Sequence, residues 1–99
     1  MGTGQGKSES GNSDYFKRTI EGRILNRAIL DLFSPNEETR IEAIEFFAEE
    51  NHNDMAKKLR INPHEIKRMV FSAIRHEGIR REKMARNIIR YLAGNYKPK

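Results

Sequence analysis

Apolar residues recur at three- and four-residue steps through most of the chain and define one helix after another. Phe16, Ile20, Ile24, Leu25, Ala28, Ile29, Leu32 and Phe33 follow this spacing, the mark of a helix with a single buried stripe. Ser13 or Asp14 is placed to cap it, because a short side-chain oxygen accepts from the orphan amides of a first turn. Gly22 should weaken it, since glycine loses more backbone freedom on ordering than any other residue. In "SPNEE", Ser34 stands as cap, Pro35 at the first helical position and Glu37 three residues after the cap. That capping box predicts a second helix, with Ile41, Ile44, Phe47 and Ala48 inward and the glutamates outward.

The next stretch, "NDMAKKLRINPHEIKRMV", carries apolar residues at Met55, Ala56, Leu59, Ile61, Ile66 and Met69, but Asn62-Pro63 interrupts it. Inside a helix a proline removes a donor and clashes with the preceding turn. At a helix start it costs nothing, and Asn62 as cap, Pro63 at N1 and Glu65 at N3 form a second capping box. The pattern therefore predicts a short helix over about 53–59, a turn of about three residues and a new helix from Pro63: a helix-turn-helix at about 53–76. Gly78 should end that helix, with Ile79 packing back beside it. A last helix over about 80–93 carries Met84, Ile88, Ile89 and Leu92 on one face and stops at Gly94. Residues 1–13 are Gly, Ser and polar residues with almost nothing to bury, which predicts a disordered tail. Residues 14–95 read as a single helical domain and 96–99 as a frayed basic tail. The chain's 99 residues are too few for two substantial cores, so the expected fold is a small all-α domain of four or five helices.

"DMAKKLRINPHEIKRMV" resembles the helix-turn-helix of bacterial and phage DNA-binding proteins, with small Ala56 where the two helices touch, Ile61 in the turn, and Ile66 and Met69 anchoring the second helix. It departs at Arg60, where many members carry glycine. More widely, "AILDLFSPNEETRIEAIEFFAEE" followed by this unit, roughly residues 28–70, is similar to small proteins of tailed phages and prophages. That likeness implies a mobile-element setting and no assigned activity. The helix-turn-helix resemblance implies that the second helix enters the major groove with its N-terminal residues near base edges. Here those are Asn62, His64, Lys67 and Arg68, opposite the inward Ile66, Val70 and Ala73. Arg68 could offer two donors to guanine, Lys67 a donor to a base or phosphate, and Asn62 a base contact, although a residue that caps is less free to read.

Charge agrees with that reading through its distribution. The net charge is +5, yet residues 35–51 hold one Arg against six Glu, and residues 52–99 hold thirteen Lys and Arg against four acids, a net of +9. Solvated helix faces account for some of this excess but not for its segregation, which suits a polyanion facing one side. Lys57, Lys58, Arg75, Arg80, Arg81 and Arg86 are the candidates for backbone phosphates. The last helix could equally be a bundle helix or a dimerisation arm. The acidic second helix should point away from nucleic acid.

Other chemistry is sparse. "GTGQGKS" ends like a phosphate-binding loop, but the first glycine of G-x-x-x-x-G-K-S would fall on Met1 and no strand precedes it. His52, His64 and His76 are isolated, with no pair at metal-ligand spacing, so each reads as a polar surface residue. There is no cysteine and no nucleophile motif. We therefore expect no enzyme, no metal, no cofactor and no small-molecule substrate. No apolar run reaches the ~20 residues of a membrane span, and the start lacks the order of a signal peptide, which predicts a cytoplasmic protein without membrane contact. The expected function is sequence-specific binding of double-stranded DNA, as a transcriptional regulator of a phage or other mobile element and as a homodimer. Two alternatives remain open: the DNA-recognition small subunit of a phage packaging machine, and a protein-binding inhibitor or adaptor that does not touch nucleic acid.

Overall fold

The computed structural model describes residues 16–96, and these are all-helical. After a helical turn at residues 16–18 come α1 (Ile20–Leu30), a 3-10 turn (Asp31–Phe33), α2 (Glu37–Ala48), α3 (Asn53–Lys58), α4 (Pro63–Ala73) and α5 (Gly78–Asn95). The expected tail at 1–13, the Ser13 and Asp14 caps, the Gly-Lys-Ser sequence and the last three residues lie outside the described part.

The first apolar stripe is not one helix. Thr19 is extended (φ −80°, ψ 150°), its Oγ accepts from the Gly22 amide at 2.8 Å, and it caps α1. The same hydroxyl donates to the Phe16 carbonyl at 2.8 Å, so one side chain turns the corner between the two helical pieces. Gly22 is what lets that corner close. A Cβ there would lie 1.9 Å from the Phe16 carbonyl oxygen, so the glycine meets a packing requirement, where its sequence suggested only a weak point. The bend buries Phe16, Leu25, Ile29 and Leu32 but turns Ile20 (63% exposed) and Ile24 outward, against the expected stripe.

α2 starts two residues later than the Ser34 box predicts. Asn36 is the cap, accepting from the Thr39 amide at 3.0 Å, while Ser34 accepts from the Asn36 amide at 3.1 Å and Pro35 precedes the helix. Serine and asparagine are comparable caps, and here the Ser34 oxygen is used on the Asn36 amide two residues on, which leaves Asn36 to cap the helix. The inner face is Ala43 and Phe47, flanked by half-buried Ile44 and Phe46; Ile41 (46%) and Ala48 are exposed. α2 packs on the 3-10 turn and α4, and that docking selects the covered face.

Two left-handed residues then shape the helix-turn-helix. α2 ends at Glu50 (φ 61°), with Asn51 N donating to Phe46 O at 3.0 Å and Glu50 N to Phe47 O at 3.1 Å. α3 ends in the same way at Arg60 (φ 62°), with Ile61 N donating to Ala56 O at 2.9 Å and Arg60 N to Lys57 O at 3.0 Å. Both are Schellman closures, which satisfy carbonyls that a helix end would otherwise orphan. Buried Ala56 and Ile61 supply the apolar contact that accompanies the second one. Asn62 caps α4 as expected, accepting from the His64 amide at 2.9 Å with Pro63 at N1. The reciprocal half of that capping box is missing, because the Glu65 carboxylate pairs with Arg68 instead.

α4 ends at Ala73, and Gly78 (φ +62°) opens α5 where it was expected to close the preceding helix. Ile79 is 74% exposed and does not pack back. α5 runs through Gly94 to Asn95 without a stop there. Its Ala85, Ile88, Leu92 and Ala93 are buried, and Met84 and Ile89 pack beside them, as the periodicity predicts. Tyr96, expected in a frayed tail, packs edge-on against Phe16 with ring centroids 6.2 Å apart. α5 contacts α1, α4 and the 3-10 turn, so it serves as the spine against which the helix-turn-helix is held. Each fully buried Leu, Ile or Phe along this spine contributes about 1.5–3 kcal/mol.

Candidate nucleic-acid interface

α4 buries Ile66, Val70 and Ala73 and presents His64, Arg68, Phe71 and Ser72 to solvent, and Arg75, two residues past its end, is exposed as well. These exposed positions follow helical steps of three and four and form one continuous face. The structure therefore brings His64, Arg68 and Arg75 together and adds Phe71 and Ser72, which sequence reasoning does not single out. Continuing the His64 and Arg68 spacing by one turn along the helix is the signal that finds them.

The other two base-reading candidates are committed elsewhere. The Asn62 oxygen is occupied by the His64 amide, which leaves only its NH2 as a donor. Lys67 is half-buried, and its ammonium lies 3.3 Å from the Ala48 carbonyl and 3.1 Å from Glu50 Oε2. It ties α4 to the end of α2. The Lys67 ammonium and its hydrogen bond hold the Glu50 carboxyl below its ordinary value. The acidic segment thus does not lie wholly away from this face, because Glu50 turns back toward it. Lys67 also sits 5.8 Å from the centre of the Phe71 ring, within reach of a cation–π attraction.

Among the phosphate candidates, Lys57 and Lys58 are exposed at the end of α3, and Lys58 approaches Glu21 at 3.9 Å. Arg75 and Arg80 are exposed on either side of the α4–α5 turn. Arg86 pairs with Glu82 at 3.0 Å and lies 5.4 Å from the centre of the Phe33 ring. Arg81 is corrected from this set, because all three of its donor groups face inward. Its Nε donates to His76 O at 2.7 Å, Nη1 to Leu32 O at 3.2 Å and Nη2 to Ile74 O at 2.9 Å. A guanidinium so engaged uses three of its five N–H groups on carbonyls at helix ends, and its position is set by the fold and not by a phosphate.

His52 is corrected from a surface residue to a fully buried one. Its ring packs on Phe47, with centroids 5.1 Å apart, and on Phe46 at 6.3 Å. Nε2 lies 3.0 Å from the Pro63 carbonyl oxygen, and Nδ1 has no hydrogen-bond partner. Because a carbonyl only accepts, Nε2 carries the proton. Burial, opposed by the Pro63 bond and by Glu50, pushes the imidazole below its ordinary value. His64 is exposed and His76 half-buried.

Among the described residues no three His, Cys, Asp or Glu side chains cluster as a metal site, and no helix is long and apolar enough to cross a membrane. No protein family, curated protein or solved structure matches this chain.

Proposed function

We propose that the chain binds duplex DNA by laying α4 in the major groove, as a sequence-specific regulator of a phage or other mobile element. The observation that carries this reading is the solvent face of α4 itself. His64, Arg68 and Ser72 present donors along one stripe, with Phe71 beside them and Arg75 just past the helix end, on a helix whose opposite face is locked into the core. Arginine matches the two acceptors of guanine, serine accepts or donates, and a phenylalanine ring can meet a thymine methyl. The turn before α4 supports the reading too. Arg60 adopts the left-handed conformation at the position where the resembling proteins carry glycine, so the departure in residue type leaves the turn geometry intact.

Lys57, Lys58, Arg75, Arg80 and Arg86, all exposed, are the proposed phosphate contacts. A homodimer would set two such helices one DNA turn apart on a palindromic site. The test is binding to mixed-sequence duplex at two salt concentrations, followed by selection of a preferred site. Affinity should fall steeply with salt, because each neutralised phosphate releases condensed counterions. Absence of binding at low salt would overturn the proposal and favour a protein-binding adaptor.

A further inference from the structure

We propose that His52 is the positioning residue of α4: its neutral ring latches the first turn of that helix to the end of α2, and a second proton on the ring opens the latch. The inference rests on the proposed DNA reading only for its functional consequence. The latch itself stands on geometry.

Pro63 is the first residue of α4, and its carbonyl receives the His52 Nε2–H across 11 positions of sequence. The ring is held from the other side by Phe46 and Phe47 of α2. A second tie, from Lys67 to Ala48 O and Glu50, lies one turn further along α4. The first turn of α4 is therefore tied to the α2–α3 corner by one neutral cross-link, and the second turn by one charged cross-link to the same corner.

A second proton would go to Nδ1, which is buried without an acceptor. The charged groups that bear on it are Glu50, which favours the proton, and Lys67 and His64, which oppose it. Glu50 is already engaged by Lys67 and is partly exposed, so it compensates poorly for the loss of solvent around the imidazolium. The strain is relieved when the ring swings out to water and releases Pro63. The sign follows from linkage. The unfolded chain takes up this proton near the ordinary value of about 6.5 and the latched state only at lower pH, so the latch is complete above that value and weakens as pH falls below it.

The experiment uses the full chain. Imidazole nitrogen shifts from NMR over pH 8 to 5 report the tautomer and titration of His52, and amide exchange, corrected for intrinsic pH dependence, reports the Ile66 and Lys67 amides against Ile88 and Leu92 of α5. We expect the Nε2–H tautomer at neutral pH. Protection at Ile66 and Lys67 should then fall by up to about tenfold per pH unit below about pH 6.5 and level off once the latched ring itself titrates, while α5 holds. His52→Gln, whose amide can donate to Pro63 O without titrating, should keep that protection to the lowest pH. DNA affinity should drop in the same window in the wild type and stay flat in the variant. An Nδ1–H tautomer, or His52 titration with no change at Ile66 and Lys67, overturns the latch, and so does the same acid loss in His52→Gln. If the variant does not fold, the wild-type tautomer and protection decide alone. Acid-sensitive protection without DNA binding at any pH sustains the latch and removes the DNA reading.

Discussion

The Arg81 guanidinium donates to the Leu32 carbonyl at 3.2 Å across 49 positions of sequence, and the same group closes the Ile74 and His76 carbonyls. One side chain thus joins the 3-10 turn to the end of α4 and to the start of α5. Arg81→Ala would leave these carbonyls without their donors. A bond to a charged donor contributes about 1.5–3 kcal/mol, but these three are only part-buried and water can replace some of the lost donors, so a total loss on the order of 2–3 kcal/mol is expected. Arg80→Ala, one exposed position earlier, should change stability by less than about 0.5 kcal/mol. Denaturant unfolding of the two variants checks the contrast, and equal stabilities would return Arg81 to the surface set.

Gly22 should behave against helix propensity. Alanine in an ordinary helix interior gains about 1 kcal/mol over glycine. Here its Cβ would meet the Phe16 carbonyl at 1.9 Å, so Gly22→Ala should destabilise by about 1–3 kcal/mol as an overpacked site. A raised melting temperature would mean that the corner at Thr19 is not closed in solution.

The start of α2 can be read by two alanine substitutions. Asn36→Ala removes the bond to the Thr39 amide and should cost about 1 kcal/mol. Ser34→Ala removes only the bond to the Asn36 amide, which is exposed, and should cost clearly less. The reverse order in thermal unfolding would restore Ser34 as the cap.

Glu50→Gln isolates the charged tie to α4. The Glu50 carboxyl is held below its ordinary value chiefly by its bond to Lys67 and by that residue's charge. Its contribution to stability is therefore complete above the ordinary carboxylate range and is lost as pH falls through the lowered value. The variant should flatten stability against pH in that acid window. It should also free Lys67 and strengthen binding to random DNA. Unchanged pH dependence would show that the pair is not formed in solution.

Arg68 and Arg86 separate reading from gripping. Both are exposed and paired along their own helices, with Glu65 and Glu82, and Arg86 also lies over the Phe33 ring; the exposed ion pairs are weak enough to exchange for DNA. Arg68→Ala should cost about 1–3 kcal/mol on a selected site and relax preference at one base position. Arg86→Ala should weaken selected and random duplex alike and lower the salt slope by roughly one. Equal losses on both duplexes for Arg68→Ala would take base reading away from α4.

What the amino-acid sequence determined by itself is whatever depends on neighbours a few positions apart. Asn62 and Pro63 start α4 because cap and proline act within one turn, and Ile66, Val70 and Ala73 mark its inner face because helical geometry places them there. The all-helical class follows from the same periodicity. Tertiary structure decided everything whose partner is distant. Gly22 reads as a helix weakener until the Phe16 carbonyl is brought against it. Lys67 and Arg81 read as free cations until folding supplies Glu50 and Ala48 for one and the Leu32, Ile74 and His76 carbonyls for the other. His52 reads as a surface histidine until α2 and α4 close over it. The physical reason is common to all four. A side chain's chemistry is set by its covalent structure, but its acceptor, its burial and hence its remaining freedom to bind something else are set by which helices pack around it.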